Sequence, residues 1–332
     1  MLVKQLFWPL SVYVCGLSIL LLGCGAGDGR MVLTYGELNP DGHPITDGAY
    51  EFARLVEAKT DGRIVISIYP AGQLGSEREQ VQSLQAGGLD FFRGNSNSLP
   101  DYGSEKMAIL ALPFIFADRD HLWDTLNGPV GDEVLQDLVD QRMRMVGLAY
   151  FDDGARHIFA NRKIETLDDL SGLRVRVPQN KIMMDMVGAF GASPTPISYG
   201  ELYSALQSGV VDAAENTIAG YLTNSFYEPS PYLTLNAHMF SPAVLIVSEL
   251  TWNRLSPEDQ DVIREAAHEA SAFVRTTTET YEGNALAELR ERGVTIVDVD
   301  DVSPWREAVA PLYDRYGGEH KALTESILGA AH

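Results

Sequence analysis

The chain has 332 residues, 45% of them hydrophobic and 21% charged, enough apolar content for two domains with separate cores and too much for wholesale disorder. The formal net charge of -21 excludes a nucleic-acid partner, because a phosphate backbone needs a basic face. An anionic ligand would need a local positive patch set against the global field.

Residues 1–23 carry one cation, Lys4, and an apolar run that ends at Leu20-Leu21-Leu22-Gly23-Cys24. This is the form of a secretory signal. Leu-Leu-Gly-Cys also resembles a bacterial lipobox, in which the cysteine is lipidated and becomes the first mature residue. The reading is therefore a lipoprotein signal peptide over 1–23, a lipidated Cys24 and a periplasmic protein that meets the membrane only through that anchor. An ordinary cleaved signal and an uncleaved anchor helix remain open. Cys15 and Cys24 are the only cysteines, so the mature domain is expected to have no disulfide, thiolate metal site or catalytic thiol.

The mature chain starts with a β-branched and aromatic strand over 31–39, followed by the polar loop "NPDGHP". A helix follows with Tyr50, Ala53, Val56 and Glu57 spaced along it, ending near Gly62. "IVISIYP" (64–70) alternates at period two. Ser76 and Glu79 form a capping box for the next helix, which stops at Gly87-Gly88. Strand, helix, strand, helix, strand predicts an α/β domain with a largely parallel sheet.

A long apolar strand over 143–151 meets the turn Asp152-Asp153-Gly154, and a fresh strand starts at 155. In "GLRVRVP", Leu173, Val175 and Val177 point one way and Arg174 and Arg176 the other. Ile182, Met183, Met186, Val187 and Phe190 make one stripe of a helix. Ser198 and Glu201 suggest a second capping box. A short strand runs out at Glu215-Asn216, and 239–248 is apolar again. The longest helical signal starts at Ser256 and runs to Gly293. At ~1.5 Å per residue it reaches roughly 54 Å, longer than one such domain, so it braces two domains unless it breaks near 276–284.

No Gly-x-Ser-x-Gly, phosphate loop or His-Glu-x-x-His is present. Histidines 43, 121, 157, 238, 268, 320 and 332 have no metal-ligand spacing, and no cofactor is expected. "GCGAGDG" mimics a nucleotide fingerprint but follows a signal and opens no helix. Asp152 and Asp153 are neighbours in a turn and are expected to face apart. A glycosidase pair across a cleft stays open.

Ligands of open α/β sheets bind outside the carboxyl ends of strands. Arg176 lies at such an end, Arg156 opens the strand after the turn, and Asn216 sits at a third strand end. Two guanidiniums and an amide from separate segments can converge on a carboxylate, whose two oxygens match the arginine fork. Arg174 reads as surface.

"GLRVRVPQNKIMMDMVGAFGASPTPISYGELYSALQSGVVDAAEN" resembles the signature segment of the DctP-like solute-binding proteins of tripartite ATP-independent periplasmic (TRAP) transporters. So do "AGQLGSEREQVQSLQAGGLDF", "LALPFIF", "DDGARHIFANRKIETLDDLSG" and "TWNRLSPEDQDVIREAA". The resemblance spans about 31 to 315. It implies an α/β two-lobe periplasmic-binding-protein fold, type II-like, with crossing strands and a long helix spanning both lobes. The implied lobes are 31–153 with 242–275 and 154–241 with 276–315, and 256–293 is the bridging helix. It also implies a ligand carboxylate on Arg176, with Arg156 and Asn216 as its neighbours. The usual glycine of the Asp-Gly-x-Glu-Asn motif is Ala213 here.

The implied ligand is an organic acid, with a hexuronate or related sugar acid first and a C4-dicarboxylate or 2-oxo acid as alternatives. Glu37, Asn39, His43, Glu77, Arg93, Asn97 and Asn180 are the expected further polar contacts. Arg93 could add a cationic contact for a dianion, or only packing. The expected protein is a monomer that delivers its ligand to TRAP membrane subunits and performs no catalysis. A secreted sugar-acid hydrolase and a sensory lipoprotein are the rival readings.

Overall fold

The computed structural model describes residues 30–240 and 242–330. The signal segment and Cys24 lie outside the described residues. Eleven strands are described: β1 (Met31–Gly36), β2 (Ile64–Tyr69), β3 (Phe91–Asn95), β4 (Met145–Phe151), β5 (Ala155–Ala160), β6 (Arg174–Val177), β7 (Ser193–Pro196), β8 (Ala213–Thr217), β9 (Tyr232–Phe240), β10 (Ala243–Ser248) and β11 (Thr295–Asp298). They form two sheets, ordered β2-β1-β3-β10-β4 and β11-β9-β5-β8-β6-β7.

The sheets are mixed rather than largely parallel. β1 is parallel to β2 and β3, but β10 runs antiparallel to β3 and β4. In the second sheet β5 runs antiparallel to both β8 and β9. The cause is the double crossing. β4 leaves the first sheet through Asp152-Asp153-Gly154 and continues as β5 in the second. β9 returns from the second sheet and continues as β10 in the first. The returning chain pairs with the outgoing one on both sides, Phe151 opposite Ala243 and Ala155 opposite Phe240. β7 is an edge strand with Pro194 and Pro196, where a missing N–H leaves no interior ladder broken.

The helix Pro257–Glu291 is one unbroken run of 35 residues capped by Ser256, whose hydroxyl accepts the Asp259 N–H at 3.1 Å. Near its start Ile263, Ala266, Ala267, Ala270 and Val274 belong to the core that holds Ile45, Ala49, Phe52 and Val56 of the helix Pro44–Lys59. Near its end Ala285 and Leu289 join the core of Phe159, Tyr221 and Leu233. One rigid element thus anchors in both halves.

Two local expectations change. Tyr50 is exposed and bonded to Asp41 at 2.8 Å, because the buried stripe of its helix is Ile45, Ala49, Phe52 and Val56. Ser198 bonds the Glu201 carboxylate but caps no backbone, because a 3-10 turn starts there. A helix absent from the sequence reading, Ser303–Gly317, packs on both the Met107–Leu110 and Lys181–Ala189 helices.

Gly48 marks where the Pro44–Lys59 and Pro257–Glu291 helices touch, since a Cβ there would lie 2.1 Å from Val274 Cγ2. Gly48→Ala is expected to destabilise the protein by roughly 1–3 kcal/mol through overpacking, read as a fall in denaturation midpoint; an unchanged midpoint would mean the two helices separate freely.

Candidate functional site

β6 explains the odd arginine pair. Val175 and Val177 enter the core. Arg174, on the opposite face at the outer end, forms an exposed pair with Asp212 at 2.7 Å. Arg176, on the same face as Arg174 but at the inner end, is only 2% exposed and lines a cleft between the two sheets. The cleft holds about 920 Å³, its solvent mouth included.

Arg176 donates from Nε to the Ile197 carbonyl at 2.9 Å, and its guanidinium lies 5.9 Å from the Tyr199 ring centroid. Among the described residues no carboxylate is within ion-pair distance of it. Burial lowers its pKa to about 10; Glu215 opposes the shift and Arg156 adds to it.

The other two buried arginines are compensated. Arg156 on β5 grips Glu215 on β8 with both Nε and Nη2, the latter at 2.9 Å. Burial alone would raise Glu215, but Arg156 and His238 hold its pKa at about 2. His238 Nε2 stands 3.6 Å from the same carboxylate. Arg93 on β3 pairs with Glu37 at 2.6 and 3.2 Å and donates to Asn95 at 2.7 Å. Glu37 also accepts the N–H groups of Leu38 and Asn39, each at 2.8 Å. Arg93 therefore brings its own counter-ion.

Of the residues singled out from sequence, Arg156, Arg176, Asn216, Glu77, Arg93, Asn39 and Asn97 line the cleft. Glu77 opens the Glu77–Ala86 helix behind the Ser76 capping box and accepts Ser98 Oγ at 3.1 Å. The buried amide nitrogen of Asn97 has no partner among the described residues. Asn216 offers its Nδ2 to Tyr199 Oη at 3.4 Å. Its amide rests on Gly220, where a Cβ would sit 2.8 Å from Nδ2.

Three others stand behind the wall. Glu37 is the counter-ion just described. His43 caps the Pro44–Lys59 helix by accepting the Ile45 N–H at 3.2 Å, and burial drives its pKa to about 3, so it is neutral. Asn180 caps the Lys181–Ala189 helix through Met183 N–H at 3.0 Å and reaches across to Ser98 Oγ at 3.4 Å.

Tyr199 and Asp153 were not expected in the cleft, yet both line it. Tyr199 follows the edge strand β7, and nothing in its local sequence marks it. Asp153 carried a signal, the turn between two apolar strands, but the turn alone does not say which carboxylate faces inward. Asp152 turns away to Trp123 Nε1 at 2.9 Å and Arg119 at 3.1 Å.

Residues 35–319 match the DctP model, described as bacterial extracellular solute-binding protein, family 7. The chain belongs to this family. Its members are substrate-binding components of TRAP transporters and act in the periplasm. The solute-binding protein superimposes on a TRAP periplasmic solute-binding protein from Bradyrhizobium in complex with galacturonate, with TM-score 0.86 and 33% identity over 90% of this chain and 99% of that one. A counterpart from Pseudomonas putida with bound D-glucuronate gives TM-score 0.87 and 29% identity over 90% and 96%. One from Polaromonas bound to D-erythronate gives 0.86 and 34% over 90% and 98%.

Removing the Glu215 charge leaves Arg156 buried and alone. Glu215→Gln is expected to lower stability by about 3–5 kcal/mol in chemical denaturation. The wild-type pair should also weaken in acid: Glu215 is depressed in the fold, so its contribution is complete above its ordinary value of 4.5 and fades as pH falls toward about 2. A Gln variant with wild-type stability would show that the pair contributes nothing.

Proposed function

We propose that this solute-binding protein captures a sugar monoacid, a hexuronate first, and delivers it to TRAP membrane subunits. The observation that carries the reading is Arg176, a buried guanidinium in the cleft without a carboxylate of its own. A ligand carboxylate supplies the missing partner. Arg156 and Asn216 stand beside it as secondary contacts, since Glu215 already occupies the Arg156 fork.

Arg176 is the one buried uncompensated cation among the described residues, Arg78 at the same cleft being exposed, and one such cation calls for one carboxylate. That favours a uronate or aldonate over a C4-dicarboxylate, whose second charge would find Arg93 already paired. The galacturonate, glucuronate and erythronate bound by the three solved relatives each combine one carboxylate with several hydroxyls. Asn39, Glu77, Asn97 and Tyr199 offer the mixed donors and acceptors that hydroxyls need. Closure of the lobes would dry the site and strengthen each charge-assisted bond. Lipidation of Cys24 would tether the protein to the membrane that carries the transporter.

The test is calorimetry and thermal shift with D-galacturonate, D-glucuronate, D-erythronate and succinate. A true ligand at a hundred times its Kd should add ~2.7 kcal/mol of apparent stability. Arg176→Ala should cost roughly 2–5 kcal/mol of binding, about 30- to 4000-fold. Arg176→Lys should not restore it, because a point charge lacks the fork. Arg174→Ala, at an exposed pair, should leave binding unchanged. Tight binding by Arg176→Ala, or a preference for succinate, would overturn the proposal.

A further inference from the structure

The cleft contains an ionisable group that the carboxylate contact leaves unused. Asp153, in the crossing between β4 and β5, lines the cavity, is 6% exposed, and its carboxylate accepts no hydrogen bond among the described residues. Its neighbour Asp152 is fully engaged by Trp123, Arg119 and the Gly154 N–H. A buried carboxylate in the lining of a cleft proposed to hold an anion is an odd arrangement unless something neutralises it.

Among the described residues the buried charges in and directly behind the cleft lining balance: Arg93, Arg156 and Arg176 against Glu37, Glu215 and Asp153. A monocarboxylate seated on Arg176 adds one negative charge to that volume. Half-buried Glu77 at the mouth adds in the same direction. Like charges close together in a dry site do not both stay ionised. Glu37 and Glu215 are each bound by an arginine fork, so Asp153 is the acid without such a hold.

We propose that the protein takes up one proton together with its anion, and that Asp153 holds it. The inference rests on the docking of a ligand carboxylate at Arg176. The step is a protonation: a proton from solvent joins a carboxylate oxygen of Asp153, and no bond of the ligand breaks. The neutral acid then presents an O–H donor to a ligand oxygen, which makes Asp153 a specificity residue for acceptor-bearing monoanions.

The groups around Asp153 set the direction. Burial raises its pKa to about 6; Arg93 and Arg156 pull it down, and Glu37 and Asp152 push it up. Tyr199 faces it from beyond β7 and Glu282 from the long helix. A bound anion raises it further. The free protein is thus mostly ionised at neutral pH and the complex mostly protonated. Affinity should be flat below about pH 6 and should fall by up to about tenfold per unit as pH rises above it, until the pKa of the complex is passed.

Glu282 is the competing proton acceptor, pushed up to about 7 by burial. It stands outside the cleft lining, bonded to Arg119 behind the Gly154 turn, and is therefore the control.

The experiment is calorimetric titration of the mature protein with D-galacturonate and D-erythronate at neutral pH in PIPES and in imidazole, whose different ionisation heats count the protons exchanged. Wild type should take up most of one proton. Asp153→Asn should bind without proton uptake and with an affinity independent of pH, and Glu282→Gln should keep the wild-type uptake. Binding by wild type without proton uptake would overturn this inference alone. So would unchanged uptake in Asp153→Asn, or loss of uptake in Glu282→Gln. The pH profile of wild-type affinity reads the same step without any variant, and a flat profile above about pH 6 overturns it. Failure of both acids to bind would overturn the ligand reading and the proton step with it.

Discussion

Among the described residues one buried arginine, Arg176, has no carboxylate within ion-pair distance, and the polar wall around it is arranged about that charge. Taking a guanidinium out of water is costly unless a charge or several dipoles replace the water. Arg93 and Arg156 meet that cost internally with Glu37 and Glu215. Arg176 has only the Ile197 carbonyl and the face of Tyr199. Among the described residues Arg176 is therefore a buried positive group without an ion-pair partner, in a chain whose formal net charge is -21. At the short range of a dried cleft the local arrangement outweighs the distant, screened surface charge.

The route of the chain makes that deficit consequential. Asp153 and Arg156 ride on the β4–β5 crossing, and His238 lies on the strand that leads back across. Where the two crossing strands pair, the ladder is irregular: the register shifts between Arg156 and Ile158, and Ala237 takes a positive φ of 41°. The Ala237 N–H is received by His157 Nδ1 at 3.1 Å. Asp153 and Arg156, which line the cleft, thus also belong to the segment that joins the two sheets. The long helix, anchored in the cores of both halves, limits how the lobes can move relative to each other.

The polar residues around the cleft divide by what they satisfy. His43 and Asn180 complete helix N-termini, and Glu37 ties a loop to an arginine. These contacts place the wall. Asn97, whose buried amide nitrogen has no partner among the described residues, and Asp153, whose carboxylate accepts no hydrogen bond among them, line the cleft. The difference between wall and lining is whether the local backbone already consumes the side chain's hydrogen bonds.

The local code was legible wherever a short-range rule sufficed. Period-two alternation placed Val175 and Val177 in the core, the Ser76–Glu79 box started a helix, and Ser256-Pro257 opened the long one. The motif order identified the family, and with it the two-lobe fold. Alternation also set Arg174 and Arg176 on one face, but it could not say that one would meet Asp212 in solvent and the other an enclosed cleft. That outcome depends on which end of β6 the opposite lobe covers. The pairing of Arg156 with Glu215 and of Arg93 with Glu37 joins residues 59 and 56 positions apart, and the mixed strand directions follow from a chain that crosses twice. By itself the sequence determined the elements, their caps and the family. Only the tertiary structure decided which charges cancel and which one stays unpaired among the described residues, because charge compensation acts through space and has no period along the chain.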